Sequence, residues 1–494
     1  MGYYVPVRSQ SLEHSAPILS TLHKCSCRPS GAAGTPSFFN WGPRVLLTLI
    51  AAVATIAASD GGLPVAAPAT VGMSAKRLET IDRVVIRGIK AGGFPGAAVV
   101  VGRKGAAVWE KGFGRIDWAT SSTRVSATET IYDLASLTKV IGTTTAVMIL
   151  FDEGRIQLDA PVVTYLPEFT GGYKDSVTVR QLLEHRSGLP ADRDLWRMAH
   201  SPAEARQIVL EAPLECKPGQ CYIYSDLGAI TLGMMVERVT GQGLDVFLHE
   251  RVFAPLGMVN TFFKPADSLK SRVAPTELSP PRGYPLQGEV HDENAYALGG
   301  VAGHAGLFST ASDLSIFAQM ILEGGEYKGV RIVSDSAVKL FTTRAAGSRA
   351  LGWAMADGQW GSGRFMSEGS FGHVGYTGTS LWIDPDREMF VILLTNRVHA
   401  ARARQPAKVI ADVRADLTDA AAIAVTDDPS QTIAMPASFR SDAAKGWNRR
   451  DRHAGRNAHH SRSTRARSRA SASKRSKHTV VASAKTKAKK KKAA

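Results

Sequence analysis

Ser136 and Lys139 stand three residues apart in Asp133-Leu134-Ala135-Ser136-Leu137-Thr138-Lys139, just ahead of an apolar run from Val140 to Phe151. Three residues on a helix is one turn, so the two side chains share a face. A serine hydroxyl is a weak nucleophile until a base sits beside it, and a lysine can be that base or support it. Val140, Ile141, Ala146, Val147, Met148, Leu150 and Phe151 are too apolar for a surface helix. The pair is therefore expected at the N-terminal end of a buried helix, where free backbone N–H groups can meet an oxyanion. Alone the spacing says little, because S-x-x-K recurs at Ser336/Lys339, in an amphipathic surface helix, and at Ser471/Lys474, near the C-terminus.

Two later motifs add weight. Tyr224-Ser225-Asp226 precedes the apolar helix expected from Leu227 to Val239. A tyrosine beside a lysine has its phenolate favoured by the positive charge, and it could then take the serine proton and hand it to a leaving group. A half-buried aromatic followed by a helix-capping aspartate explains the same residues more simply. Gly372-His373-Val374-Gly375-Tyr376-Thr377-Gly378 enters the penultimate strand expected. A glycine-lined edge strand lets a substrate backbone approach, and its N–H groups can complete an oxyanion hole with that of Ser136.

In this order and on these elements, the three motifs resemble the serine β-lactamase and penicillin-binding-protein superfamily, above all its class C-like branch of D,D-carboxypeptidases, D-aminopeptidases and promiscuous esterases. The resemblance spans about residues 72–415, and Leu182 to Pro190 and Leu381 to Pro385 also look like that branch. It implies an α/β fold, a mostly antiparallel sheet flanked by helices plus a helical subdomain, with the site between them. It also implies an acyl-enzyme on Ser136, with Tyr224 and Lys139 as the base system. The oxyanion donors would be the backbone N–H groups of Ser136 and Tyr376, and Asp226, His373 and Gly375 would contact substrate.

Three departures from the family pattern bear on substrate. His373 replaces the common lysine, as in some carboxypeptidases of the family. Val374 replaces a threonine whose hydroxyl would hold a substrate carboxylate, a loss that a charged His373 or a nearby basic group could offset. Asp226 replaces an asparagine, and an anion there would stabilise charged Lys139, weaken it as a base and shift that role to Tyr224.

The elements that must position these residues are legible in part. Residues 73–92 have helical spacing, and Ala97–Val101 and Ala106–Trp109 flank Gly102-Arg103-Lys104-Gly105, a hairpin signal. Helices are expected from Val177 to Leu183, through much of 202–260 and from Leu307 to Leu322. Strands are expected at Thr379–Ile383 and Met389–Thr395. Of the four cysteines, Cys216 and Cys221 bracket Lys-Pro-Gly-Gln, a turn that could close a small disulfide or carry two free thiols.

The 494 residues divide into a leader (1–71), a hydrolase domain (72–425) and a basic tail (426–494). Val45–Ala58 is apolar, about as long as a signal-peptide h-region, with Arg44 before it and Ala57-Ala58-Ser59 after. Export to the periplasm or beyond is expected, with the leader cleaved or kept as an anchor. The net charge of +16 is concentrated from Arg440 onward, where nineteen Lys/Arg face only Asp442 and Asp451, leaving a nearly neutral body. From about Asp427 the low apolar content predicts disorder, and the tail could bind anionic cell-wall polymer, lipid or nucleic acid. His291-Asp292-Glu293 and His304 suggest a loop network near the cleft rather than a metal site, since no H-E-x-x-H or paired-cysteine spacing is present. No phosphate-binding or dinucleotide glycine loop occurs, and no cofactor is expected. The expected function is an exported acyl-serine hydrolase acting on an amide or ester. Cell-wall D,D-peptide is the leading substrate, an esterase or D-aminopeptidase the alternative, and a polyanion-binding tether the alternative of another class.

Overall fold

The computed structural model describes residues 61–448, apart from 359–360 and 400–404. The apolar segment at 45–58 and the chain beyond 448 lie outside the described residues. Six strands form one sheet: β1 (Gly96–Arg103), β2 (Ala106–Gly114), β3 (Ala354–Met355), β4 (Phe371–Val374), β5 (Ser380–Asp384) and β6 (Met389–Thr395). Their order is β2-β1-β6-β5-β4-β3, and every pairing is antiparallel. The two ends of the domain meet in its centre, where Ala97 of β1 stands opposite Thr395 of β6.

Both faces of the sheet are covered, so β1 is apolar at nearly every position instead of alternating with polar residues. Ala98 and Val100 face a large core that includes the helices α2 (Thr145–Asp152), α3 (Asp226–Thr240) and α5 (Ala311–Leu322). Ala97, Val99 and Val101 face a second core built with α1 (Thr80–Lys90) and α6 (Pro406–Ala424). Additional short helices at Val179–Leu183, Pro202–Glu211 and Leu244–Leu248 surround α3 and make the helical part. A short helix, α4 (Glu293–Ala297), sits in the loop-rich stretch before the glycine-rich residues 299–306. No helix among the described residues is long and apolar enough to cross a membrane.

Several local expectations are corrected. The helix after Ser136 opens with a π-helical stretch, Lys139–Thr144, before the regular turns of α2; such widened turns often lie at functional positions. Leu307–Ser309 is a strand, not the start of a helix, because it pairs with Tyr132–Asp133 and Phe262–Phe263. Thr310 then caps α5 by accepting the Asp313 N–H. The third motif lies on β4, one strand earlier than expected, and β3 pairs with it only at Phe371 and Gly372, leaving the His373–Val374 end open.

The folded part also exceeds the expected limits of 72 and 425. Leu63 is buried, and the Ala66 N–H donates to Ala107 O at 3.0 Å. At the other end Phe439 and Trp447 are buried, and Trp447 Nε1 donates to Asp412 Oδ2 at 2.8 Å. Asp442 pairs with Arg87 of α1. The basic composition of this region hid two aromatic anchors and one acid, which suffice to hold a short segment on the second core.

Candidate active site

The segment that carries Ser136 is a tight bend. Ala135 has φ +48°, a left-handed conformation that a non-glycine residue keeps only when its surroundings enforce it. Asp133 does so: its Oδ1 accepts the Ala135 N–H at 2.8 Å and its Oδ2 the His291 N–H at 2.7 Å. Leu134 N donates to Leu307 O at 2.9 Å. From the other side Thr379 Oγ1 donates to Leu134 O and Thr377 Oγ1 to Asp133 O. The bend and the β4–β5 turn touch so closely that a Cβ on Gly375 would lie 2.3 Å from Leu134 O, which makes glycine obligatory there.

Ser136, Lys139, Tyr224 and Asp226 are brought together. Lys139 Nζ lies 3.0 Å from Ser136 Oγ, 2.6 Å from Asp226 Oδ1, 3.1 Å from His304 O and 5.1 Å from the centre of the Tyr224 ring. Burial by itself lowers the lysine, but Asp226 and Tyr224 outweigh it and hold it above the ordinary lysine range. Lys139 is thus a cation. Its ammonium donates to the His304 carbonyl and to Ser136 Oγ, and is ion-paired with the Asp226 carboxylate. With Oγ accepting from the ammonium, the serine's own hydrogen points elsewhere, and Tyr224 borders the same space.

Two neutral histidines flank Tyr224. His185, itself at φ +58°, accepts the Ser225 N–H at Nδ1 (3.1 Å), which puts its proton on Nε2, and its ring centre lies 4.6 Å from that of Tyr224. His373 stacks on Tyr224 at 6.0 Å and donates from Nδ1 to Val374 O at 2.9 Å, so Nε2 is left as an acceptor. Burial, with the charges of Arg349 and Lys139 added, pushes both rings well below the ordinary histidine range. The idea that a charged His373 offsets the missing threonine hydroxyl at Val374 is therefore corrected: burial leaves the ring uncharged.

Ser136, Tyr224, His373, Val374, Gly375 and Tyr376 line one cavity of about 410 Å³. The backbone N–H groups of Ser136 and Tyr376 have no acceptor among the described residues, as a pair awaiting an oxyanion would. Residues that sequence reasoning missed line it too. Arg349 lies 5.4 Å from the Tyr224 ring centre, and its Nε donates to Tyr222 OH at 3.0 Å. Arg397 lies over exposed Tyr376 at 4.3 Å. Arg414 of α6 donates to Gly375 O and Thr379 O, both at 2.7 Å, and so ties that helix to the β4–β5 turn. None of the three segments singles its arginine out: α6 carries Lys408, Asp412, Asp416 and Asp419 besides Arg414, and those around Arg349 and Arg397 carry no chemical signature. The remaining wall is apolar: Ala354, Val374, Trp382, Ala407, Ile410 and Ala411.

The Ser336/Lys339 repeat lies exposed on the helix Asp335–Thr342 beside a wider groove of about 730 Å³, away from this cavity. Cys216 and Cys221 form a disulfide that packs against Gly188, whose Cβ would lie 2.1 Å from Cys216 O. The His291–Glu293 and His304 residues form a network beside the site, with Asp292 bonded to His304 at 2.8 Å.

The Beta-lactamase family model matches residues 81–415. A protein of Escherichia coli strain K12 named "Putative D-alanyl-D-alanine carboxypeptidase" is 32% identical over 72% of this chain and 91% of its own length. A Bacillus subtilis strain 168 protein named "N-acetylmuramyl-L-alanine amidase" is also 32% identical, over 74% of this chain and 92% of its own length. Among solved structures, a penicillin-binding-protein homologue from Caulobacter crescentus shares the fold, with a TM-score of 0.54 and 23% identity over 66% of this chain and 93% of that one.

Proposed function

Since the chain belongs to the serine β-lactamase and penicillin-binding-protein superfamily and is a serine hydrolase of that kind, we propose that it cleaves a carboxylate-bearing cell-wall peptide, carboxypeptidase-like, through an acyl-enzyme on Ser136. The observation that carries this reading is the cavity that holds Ser136 and Tyr224 together with Arg349, Arg397 and Arg414. Where Val374 has removed a hydroxyl, guanidinium groups offer the anion contact, and Arg suits a planar carboxylate.

In this mechanism Tyr224 takes the Ser136 proton as Oγ attacks the carbonyl. Lys139⁺, which Asp226 keeps charged, lies 5.1 Å from the centre of the Tyr224 ring, beside the path of that proton. The Ser136 and Tyr376 N–H groups receive the oxyanion. The protonated tyrosine then gives its proton to the leaving amine, and water releases the acyl group by the reverse sequence. The names of the Escherichia coli and Bacillus subtilis relatives, both referring to cell-wall chemistry, favour the substrate class. Export to the periplasm or the cell exterior fits that substrate, the apolar segment at 45–58 and the Cys216–Cys221 disulfide.

A second reading is a carboxylesterase or D-aminopeptidase. It is favoured by the apolar wall of Ala354, Val374, Trp382, Ile410 and Ala411 and by the uncharged His373. The basic tail beyond residue 448 would in either case hold the enzyme to anionic cell-wall polymer or lipid; as a tether alone, it would bind nucleic acid if the chain stays inside the cell.

Labelling by a fluorescent penicillin and turnover of p-nitrophenyl butyrate, each on wild type and Ser136→Ala, test the proposal. Serine-dependent labelling together with release of D-Ala from an acyl-D-Ala-D-Ala peptide is expected. Serine-dependent ester turnover without labelling or D-Ala release selects the esterase reading. Activity unaffected by Ser136→Ala overturns both.

A further inference from the structure

Behind Lys139 lies a second ion pair that the mechanism above does not use. His304 Nε2 is 2.8 Å from Asp292 Oδ1, with the His304 ring buried and Asp292 partly so. Burial alone would neutralise both, yet each outweighs it in the other, so the imidazole is shifted toward the cation and the carboxyl toward the anion. His304 Nδ1 is buried and has no partner among the described residues.

The backbone of the same residue faces the site. His304 O accepts from Lys139 Nζ at 3.1 Å, and the preceding carbonyl, Gly303 O, accepts from Thr143 Oγ1 at 2.7 Å. Leu307 N donates to Thr138 Oγ1 at 3.1 Å. Residues 303–307 thus run along the nucleophile helix, with carbonyls and N–H groups turned toward it. This stretch has little stiffness of its own: Gly299, Gly300 and Gly306 all have positive φ, and glycines leave the backbone free. Gly303 cannot be stiffened by a side chain, since a Cβ would lie 2.1 Å from Ala229 O. Within 299–306 the other side chains, Val301, Ala302 and Ala305, are aliphatic, so His304 supplies the polar side-chain anchor.

Asp292 is fixed in turn. Its Oδ1 caps α4 by accepting the Ala295 N–H at 2.8 Å, and the adjacent His291 N–H is held by Asp133 below the nucleophile bend. One loop therefore holds both the bend at Ala135 and the carbonyl on Lys139.

We propose that Asp292 and His304 are positioning residues for Lys139: their side-chain bond fixes the His304 carbonyl, which takes one ammonium hydrogen and holds the ammonium where it also donates to Ser136 Oγ and pairs with Asp226. This rests on the reading of Ser136 as the nucleophile. Without the anchor the ammonium can rotate, and its hydrogen bond to Ser136 Oγ is lost for part of the time. Substrate binding, made by the cavity wall, is unaffected, so the loss falls on kcat.

The test is steady-state hydrolysis of p-nitrophenyl butyrate by the full-length protein, with a melting curve for each variant. His304→Ala is expected to lower kcat about tenfold or more with KM within about twofold, the pattern of an interaction that acts after binding. His304→Gln, whose side-chain amide can still donate to Asp292, is expected to restore most of the lost kcat. A folded His304→Ala with wild-type kcat overturns the inference, as does a rise in KM that accounts for the whole loss. A folded His304→Gln as slow as His304→Ala overturns it too. If His304→Ala does not fold, Asp292→Asn against Asp292→Leu decides. The asparagine keeps an acceptor and should be several times faster than the leucine; equal rates overturn the inference. Ser136→Ala separates the two levels. If it is inactive while His304→Ala is unimpaired, only the positioning role falls. If it stays active, the nucleophile assignment falls first.

Discussion

Lys139 Nζ sits closer to Asp226 Oδ1, at 2.6 Å, than to Ser136 Oγ, at 3.0 Å. The lysine that sequence spacing assigns to the serine is thus held first by a carboxylate. An ammonium donating to Ser136 Oγ cannot also accept the serine proton. In the proposed mechanism its contribution is to stabilise negative charge on neighbouring oxygens, and proton transfer passes to Tyr224.

This relationship sets a pH dependence. Asp226 keeps Lys139 above the ordinary lysine range, so the pairing's contribution to stability is complete below that range and is lost as pH rises through the folded value. In Asp226→Asn the carboxylate is gone while burial remains, and burial lowers a lysine. The alkaline limb of kcat/KM should move down by about one pH unit or more in this variant, since a buried lysine can shift by several units. An unmoved limb would mean that Asp226 does not set the lysine's charge.

Removing the proposed proton carrier should be costly without harming the fold. Tyr224→Phe keeps the ring contacts with His185 and His373 and deletes only the hydroxyl. A loss of about 10²–10⁴ in kcat is expected, the usual worth of a general acid–base, with an unchanged melting temperature. Rates within a few-fold of wild type would return the base role to Lys139.

The arginines should separate substrates by charge. Arg397→Gln keeps a polar side chain over Tyr376 but removes the cation. KM for an acyl-D-Ala-D-Ala peptide should rise about tenfold, corresponding to ~1.4 kcal/mol, while that for a neutral p-nitrophenyl ester stays near wild type. Arg414→Gln should impair both, because Arg414 holds Gly375 O and Thr379 O rather than facing substrate alone. Equal effects of Arg397→Gln on charged and neutral substrates would remove the anion-binding role.

Val374→Thr restores a hydroxyl on the open end of β4. One added hydrogen bond to a carboxylate is worth ~1.5–3 kcal/mol, so acylation by penicillin should quicken by at least about tenfold. No change would place the penicillin carboxylate elsewhere in the cavity.

The disulfide links stability to the site. The loop it closes packs on the segment carrying His185: Glu215 N donates to Gly188 O and Gly219 N to Arg186 O, both at 2.7 Å. Cys216→Ser with Cys221→Ser should cost about 2 kcal/mol by urea melt, as expected for a short loop. It should also lower kcat, because Ile223 N bonds to His185 O next to Tyr224. A stability loss with unchanged kcat would show the loop to be a staple alone.

Residue type and local spacing determined much of this protein. Ser136, Lys139, Tyr224, Asp226 and His373 were legible because each lies at the start of a helix or on a strand whose apolar pattern is strong. The paired β5 and β6 followed from the same pattern. Strand boundaries in loop-rich parts were not legible: Leu307–Ser309 became a strand because two distant segments offered it hydrogen bonds, an outcome that local propensity does not contain. The packed region 426–448 was hidden for a similar reason, since Phe439 and Trp447 matter only once a core exists to receive them. The motif pattern already set an Asp226 anion against Lys139; tertiary structure alone decided the other charges at the site. The neutral His185 and His373, the three arginines on the cavity wall and the His304 carbonyl come from segments separated by tens to hundreds of residues. Their protonation follows from burial and from neighbours that only the fold brings within a few ångströms.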